Sequence, residues 1–213
     1  MINDTDTSIS QSRRRLLDTA QQMFHQRGYK AVTMQDIARE LGMRQASLYY
    51  HMPDGKEQLF VEVAARSFEQ HRQGLYAAMN AAGPTLEDQL SAAATWFASQ
   101  PPISLLGMMH ADMPALSQEN TRRLEDLAYR CLFDPIATTF RAAINRGEIR
   151  PLPADLLAGS FLALLDGVSY ASSRQPGAPP RAAMTHTIVS LVLDGLRPRH
   201  EMNGVMTDAI SRN

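Results

Sequence analysis

The chain has 213 residues, of which 44% are hydrophobic and 20% charged, the composition of a folded rather than a disordered protein. The mean hydropathy is −0.27, and Asp166 interrupts the longest apolar stretch, Phe161–Leu165, which predicts that no segment crosses a membrane. The single cysteine, Cys131, excludes an intramolecular disulfide and a cysteine-rich zinc site. Because the N-terminus is polar and lacks the apolar core of a secretion signal, we expect a cytoplasmic protein.

Charge is distributed unevenly along the chain. Residues 1–56 carry eight basic and six acidic side chains, a net charge of +2, whereas residues 57–213 carry 13 basic and 16 acidic side chains, a net charge of −3. A basic N-terminal part on a more acidic body favours a nucleic-acid contact near the N-terminus, although so small a difference does not identify one.

Apolar residues recur with helical spacing, and alternating strand patterns are nearly absent, which predicts an all-α fold of about nine helices. A first amphipathic helix ends at Gly28. Thr33 and Asp36 form a capping box that begins a short second helix, which Gly42 ends. A third short helix is predicted over residues 44–50.

The remaining helices are longer, and their boundaries carry capping residues and prolines. Thr85 and Ser117 are candidate N-caps, and Pro135 should kink the helix that contains it because proline removes a backbone donor. These predicted helices cover residues 56–80, 85–100, 103–109, 117–146, 153–173 and 180–196.

The two short helices that meet at Gly42 have the arrangement in which a second helix enters the DNA major groove while the first braces it. Their apolar contacts would be Ile37, Ala38, Leu41 and Leu48. The exposed face of the second helix would then carry Arg44, Gln45, Ser47, Tyr49, Tyr50 and His51. Arginine and glutamine can read base edges, whereas the other side chains mainly hold phosphates. Spacing alone leaves open a small helical subdomain with a solvated polar face.

The segment Thr33–Phe60, TMQDIARELGMRQASLYYHMPDGKEQLF, resembles the signature of the TetR family of bacterial transcriptional regulators. The resemblance extends over residues 14–60. This sequence departs from the family pattern at Met52, where phenylalanine is usual, and at Asp54–Gly55, which adds one residue to the turn before Lys56.

The resemblance implies a two-domain homodimer, with a helix-turn-helix DNA-binding domain at residues 1–56 and an effector-binding and dimerisation domain at residues 57–213. It further implies a repressor that binds a palindromic double-stranded DNA operator and leaves it when a small-molecule effector binds. The positions that match the family's DNA contacts are Thr33, Arg44, Gln45, Ser47, Tyr49, Tyr50, His51 and Lys56.

The last two predicted helices carry small residues on one face. Gly159, Ala163 and Gly167 recur every four residues, so another helix can approach closely, and Ile188, Leu191 and Val192 share an apolar face on the final helix. The two helices could pack within one monomer, or two such pairs could form a four-helix bundle between monomers. The resemblance favours the homodimer.

A cluster of aromatic and sulfur-containing side chains in the C-terminal part could line an effector pocket, since such side chains suit flexible recognition of apolar ligands. Any one of them is more often a plain core residue than a ligand contact. The candidate effector contacts are Trp96, Phe97, Met109, His110, Tyr129, Phe133 and Tyr170, with Met108, Met113, Phe140 and Asp112 near them.

Signatures of catalysis are absent from the sequence, including phosphate-binding glycine loops, a nucleophile elbow and paired metal-binding histidines. We therefore expect no enzymatic activity, no metal and no cofactor, and we expect Cys131 to be a buried thiol rather than a redox sensor. A catalytic helical bundle without such motifs remains an alternative, as does a ligand-binding protein that does not bind DNA.

Overall fold

The computed structural model describes residues 4–100, 107–174, 177 and 179–198, and it contains helices and no β-strand within these ranges. This confirms the predicted all-α class. The α-helices are α1 Asp4–Ala31, α2 Met34–Leu41, α3 Gln45–His51, α4 Gly55–Ala81, α5 Leu86–Ser99, α6 Gln118–Ala128, α7 Asp134–Asn145, α8 Ala154–Arg174 and α9 Arg181–Leu196.

Residues 107–115, between α5 and α6, contain a π-helix, Met108–Asp112, and a 3₁₀ turn, Met113–Ala115. The predicted helix over residues 103–109 therefore lies mostly outside the described residues, and its last two residues belong to the π-helix.

The predicted helix starts are confirmed by their hydrogen bonds. The Thr33 hydroxyl accepts from the Asp36 N–H at 3.1 Å, and the Asp36 carboxylate accepts from the Thr33 N–H at 3.1 Å. Thr85 and Asp88 form the same reciprocal pair, and Ser117 caps α6. Local sequence thus determines where these helices begin.

Two glycines adopt left-handed backbone angles near the N-terminus. Gly28, at φ +76°, interrupts α1 rather than ending it, and one more turn follows to Ala31. Gly42, at φ +65°, ends α2, and its N–H donates to the carbonyls of Ala38 and Arg39. Side-chain-bearing residues seldom adopt these angles, so both bends depend on glycine.

The predicted kink at Pro135 takes the form of a π-turn, Tyr129–Phe133, between α6 and α7. Proline has no N–H, and its ring crowds the carbonyl of the residue four positions earlier. The helix accommodates it with a wider turn in which the Asp134 N–H donates to the Tyr129 carbonyl. The chain from Ser117 to α7 is consequently one continuous helix with a local widening.

Helix α4 connects the N-terminal helices to the rest of the molecule. It packs against α1, α5 and α6, while α9 packs on α5 and α8 on α7. The fully buried rings of Phe68, Phe140 and Phe161 lie in the core that these helices share. The predicted domain boundary after residue 56 falls in the first turn of α4. The division of the chain into a DNA-binding domain and an effector-binding domain stays a prediction.

Within the described ranges, one helical segment, Ala154–Ser172 of α8, has the length and apolar composition of a membrane span, with a mean hydropathy of 1.2. Core helices of folded proteins reach the same composition, so a single such segment is weak evidence for a span. Its residues Phe161, Leu162 and Leu165 are buried in the core, whereas Leu164 is exposed.

Candidate nucleic-acid interface and effector site

Helix α3 projects its polar and aromatic side chains away from the core, as the sequence predicts. Leu48 is its one buried residue and packs toward α2, whose Ile37 and Ala38 are also buried. The other predicted contacts on or next to α3 range from half-buried to highly exposed, with Tyr50 at 77% and Tyr49 at 44%. They are Arg44, Gln45, Ser47, Tyr49, Tyr50 and His51. The helix therefore presents one continuous surface for a partner.

Thr33 lies at the start of α2, exposed, with its hydroxyl engaged in the capping box. The hydroxyl also donates to the Asp36 carboxylate at 2.6 Å, and these bonds lower the pKa of Asp36. The hydrogen bonds with Asp36 therefore fix the orientation of the Thr33 hydroxyl that a partner would contact.

Lys56, in the first turn of α4, does not extend freely into solvent. Its Nζ donates to the Tyr29 carbonyl at 3.0 Å and lies 4.1 Å from the centre of the Tyr29 ring. Burial lowers the pKa of this half-buried lysine. An ammonium has three donors, so two remain for a phosphate while the Tyr29 contact fixes its position.

The backbone of Tyr29 joins the N-terminal helices to the segment between α5 and α6. Gly28 interrupts α1 with a non-helical backbone, and the Tyr29 N–H donates to Oδ1 of Asp112 at 2.9 Å. The Tyr29 carbonyl accepts from Lys56. Both backbone groups of one residue are thus held by charged side chains from elsewhere in the chain.

Glu57, next along α4, makes a second connection of this kind. Its Oε1 accepts from the Ser117 N–H at 2.8 Å, the Ser117 hydroxyl at 2.6 Å and Nδ2 of Asn120 at 2.7 Å. These donors lower the pKa of Glu57 and keep it ionised. We call the contacts of Asp112 with Tyr29 and of Glu57 with Ser117 and Asn120 the joint.

Ion pairs attach α1 to α4 beside the joint. Arg13 pairs with Glu62, and Arg66 pairs with Asp18 at 2.8 Å. Arg14 and Arg15, in contrast, are exposed. The guanidinium of Arg13 is therefore occupied by an ion pair, whereas the side chains of Arg14 and Arg15 are exposed to solvent.

The predicted effector contacts form two groups and a third set of separate exposed residues. Trp96 and Phe97 lie half-buried on α5, next to α4. Tyr129 and Phe133 stack at 6.4 Å in the π-turn, and the Tyr129 hydroxyl donates to Asp155 of α8 at 2.9 Å. The third set is exposed and consists of Met109, His110 and Tyr170.

Sequence reasoning missed His71, which lies on α4 beneath the first of these groups. It is only 6% exposed, stacks on Phe97 with ring centres 5.5 Å apart, and meets Trp96 edge to face at 6.3 Å. Burial lowers the pKa of His71 to about 4, so the imidazole is neutral at pH 7. Its place on the apolar stripe of α4, between Phe68 and Leu75, is the sequence signal that could have revealed it.

The predicted dimerisation residues form part of an exposed apolar face on α8 and α9. Gly167 is exposed, while Gly159 and Ala163 are half-buried, and a side chain at Gly159 would touch the Phe133 ring. On α9, Leu191 is 62% exposed, whereas Ile188 and Val192 pack partly against the core.

Cys131 is buried, and this burial raises the pKa of its thiol. Among the described residues, no three histidine, cysteine or acidic side chains cluster as a metal site would require.

Comparison with known proteins agrees with this geometry. The sequence model of bacterial regulatory proteins of the tetR family matches residues 16–63, which contain α2, α3 and the start of α4. The chain is 29% identical to the transcriptional repressor KstR2 of Rhodococcus jostii over 92% of this chain and 96% of that protein. These comparisons support a transcriptional regulator of the TetR family.

Other transcriptional regulators match different extents of the chain. The transcriptional regulator LmrA of Bacillus subtilis is 38% identical over 74 residues, which are 35% of this chain and 39% of LmrA. The chain thus spans about two fifths of LmrA. A putative transcriptional regulator from Saccharomonospora viridis, solved in complex with choline, superposes with a TM-score of 0.72 at 25% identity, covering 89% of this chain and all of that one.

Proposed function

We propose that this TetR-family chain is a cytoplasmic homodimeric repressor that binds a palindromic DNA operator and leaves it when a small molecule binds. The observation that carries the proposal is α3, a short helix with one buried residue and an otherwise polar and aromatic exposed surface. The full-length similarity to KstR2, a transcriptional repressor, supports repression. A regulator of this family is not normally an enzyme.

In this proposal, α3 lies in the major groove. Gln45, exposed at the first turn, pairs with a base edge, preferably of adenine, and Arg44 pairs with guanine. The remaining predicted contacts hold the phosphate backbone and set the register of the helix. They are Thr33, Ser47, Tyr49, Tyr50, His51 and Lys56.

The exposed face of α8 and α9 forms the dimer. Leu156, Leu164 and Leu191 are large apolar side chains exposed in the single chain, and their burial against a second copy is favourable at about 25 cal/mol per Å². Burial of this apolar face in a dimer would also explain why α8 is as apolar as a membrane span. A symmetric dimer places its two α3 helices about 34–36 Å apart, one turn of DNA.

The joint supports communication between an effector in the C-terminal part and α3. Asp112 ends the π-helix and Ser117 follows the 3₁₀ turn, and both bond to residues that border the DNA-binding helices. A shift of that segment would move Tyr29 and the first turn of α4 together. The choline complex of the Saccharomonospora viridis protein supports small-molecule binding within this fold.

The test is an electrophoretic mobility-shift assay on the DNA upstream of the protein's own gene, with a scrambled duplex as control. We expect a two-half-site footprint and an affinity that falls steeply between about 50 and 200 mM salt, because phosphate contacts release counterions. A helical enzyme or a ligand-binding protein that does not bind DNA would shift neither duplex. Equal, salt-insensitive shifts of both duplexes would also contradict the proposal.

A further inference from the structure

The contact between α4 and α5 contains two buried polar atoms that lack a protein partner. Nδ1 of His71 and Nε1 of Trp96 make no hydrogen bond with any part of the chain that the structure describes. Leaving one such group unsatisfied destabilises the folded state, and folded proteins contain few of them. Two on neighbouring rings, 6.3 Å apart between centres, require an explanation.

Gly74 shows that the position of the indole is built into α4. A Cβ at residue 74 would overlap the six-membered ring of Trp96, so only glycine lets the indole lie against the helix there. Glycine within a helix is less favourable than alanine. The arrangement of Trp96 against α4 therefore carries two destabilising features, a glycine inside a helix and two unsatisfied buried nitrogens.

The two nitrogens restrict the chemistry of a group that could satisfy both. An indole N–H only donates, so its partner must be an acceptor, and this excludes an ammonium group. A neutral imidazole nitrogen either donates or accepts, depending on its tautomer. A hydroxyl or carbonyl oxygen fits either tautomer, whereas a carboxylate would be buried as a charge beside the Phe97 ring.

We propose that His71 and Trp96 bind the uncharged oxygen of the effector, and that the effector is a small, otherwise apolar alcohol or carbonyl compound. The proposal rests on the proposed function and specifies which molecules regulate the protein. Phe97, stacked on His71, supplies an apolar wall for the carbon skeleton. His71 also lies on the helix whose first turn carries Glu57, so the oxygen contacts the same rigid element as the joint.

The single tryptophan of the chain makes the site directly observable, since ¹⁵N-labelled protein gives one indole N–H resonance. The probes are 1-octanol, sodium octanoate and choline chloride. We expect 1-octanol to move the Trp96 resonance downfield, as a new acceptor does, and the two charged probes to leave it in place. No movement with 1-octanol up to its solubility limit, or equal movement with octanoate or choline, overturns the proposal.

The matched variants are His71→Phe and, as control, His25→Phe, which replaces an exposed histidine on α1. His71→Phe should abolish the response to 1-octanol and raise the melting midpoint by about 2–4 °C, because one unsatisfied buried group is removed. An unchanged 1-octanol response in His71→Phe also overturns the assignment.

The mobility-shift assay separates this inference from the proposed function. If wild-type protein fails to bind DNA but its Trp96 resonance responds to 1-octanol, the regulator proposal fails and the binding site stands. If the protein binds operator DNA and another class of small molecule releases it without moving the Trp96 resonance, the regulator proposal stands and this site is refuted.

Discussion

Two surfaces of the molecule expose large side chains, and they differ in the chemistry that surrounds those side chains. On α3, the exposed rings of Tyr49 and Tyr50 carry hydroxyls and stand beside Arg44 and Gln45. On α8 and α9, the exposed Leu191 is accompanied by other leucines and by glycines without side chains. The two exposed surfaces therefore differ as the proposed partners do, a hydrogen-bonding polyanion at the first and a second apolar surface at the other.

The strongest test of this contrast is Gly167→Leu. In the single chain, no described atom lies within 4 Å of a Cβ at this position, so the substitution leaves the monomer fold intact. It should separate the two copies of α8 and lower operator affinity about 100-fold or more, since each monomer then binds one half-site alone. Light scattering after size exclusion measures the mass. The control is Ala77→Leu on the exposed side of α4, and a dimeric Gly167→Leu protein would place the interface elsewhere.

At the other surface, Gln45→Ala should weaken binding to the operator by about 1–3 kcal/mol and change binding to random DNA little. The reason is that an amide pairs with a base edge, which only the cognate sequence supplies in register. Fluorescence anisotropy on both duplexes measures the difference. Gln22→Ala, on the exposed side of α1, is the control, and equal losses on both duplexes would make Arg44 the next candidate base reader.

Whether the two surfaces are connected can be tested at the joint with Asp112→Ala. Removing the acceptor leaves the Tyr29 N–H without a protein partner, so we expect the free energy of unfolding to fall by about 1 kcal/mol. Operator affinity should fall with it, although Asp112 touches neither surface. Denaturant melts and anisotropy measure both quantities.

Asp112→Asn is the matched rescue, because its amide oxygen still accepts the Tyr29 hydrogen bond. Asp126→Ala, an exposed aspartate on α6, controls for loss of charge. Unchanged stability and affinity in Asp112→Ala would show that the contact does not connect the two parts.

The smallest effect is expected from Lys56→Ala. If Lys56 reaches one phosphate per monomer, the slope of log affinity against log salt should fall by about one unit for each half-site, on cognate and random DNA alike. If the slope of log affinity against log salt is unchanged and thermal stability falls, the Lys56 ammonium binds only the Tyr29 carbonyl and contacts no phosphate. Salt titrations from about 50 to 200 mM distinguish the two roles.

The helix-turn-helix could be predicted because its geometry depends on nearby residues. The capping partners Thr33 and Asp36 are three residues apart, and Gly42 supplies its own left-handed turn. The resemblance of this segment to one family then indicated a function. The turn before Lys56 illustrates the limit, because sequence suggested a phosphate contact and did not reveal the bond to Tyr29, 27 residues away.

The effector candidates could not be grouped from sequence because their neighbours lie on other helices. Trp96 and Tyr129 have similar chemistry, yet one packs on His71 of α4 and the other bonds to Asp155 of α8. The exposure of Met109 and His110 likewise follows from how the π-helix is placed, which local periodicity does not specify. Tertiary packing decides which aromatic side chains meet.

The exposed apolar face of α8 and α9 has a consequence for gene dosage. In the proposed homodimer, dimers form by mass action, so at low expression their number grows with the square of the monomer concentration. Operator occupancy would then rise steeply over a narrow range of protein level instead of in proportion to it. A cell with too few copies would carry mainly monomers, and the controlled promoter would switch at a threshold abundance that the strength of this one helical interface determines.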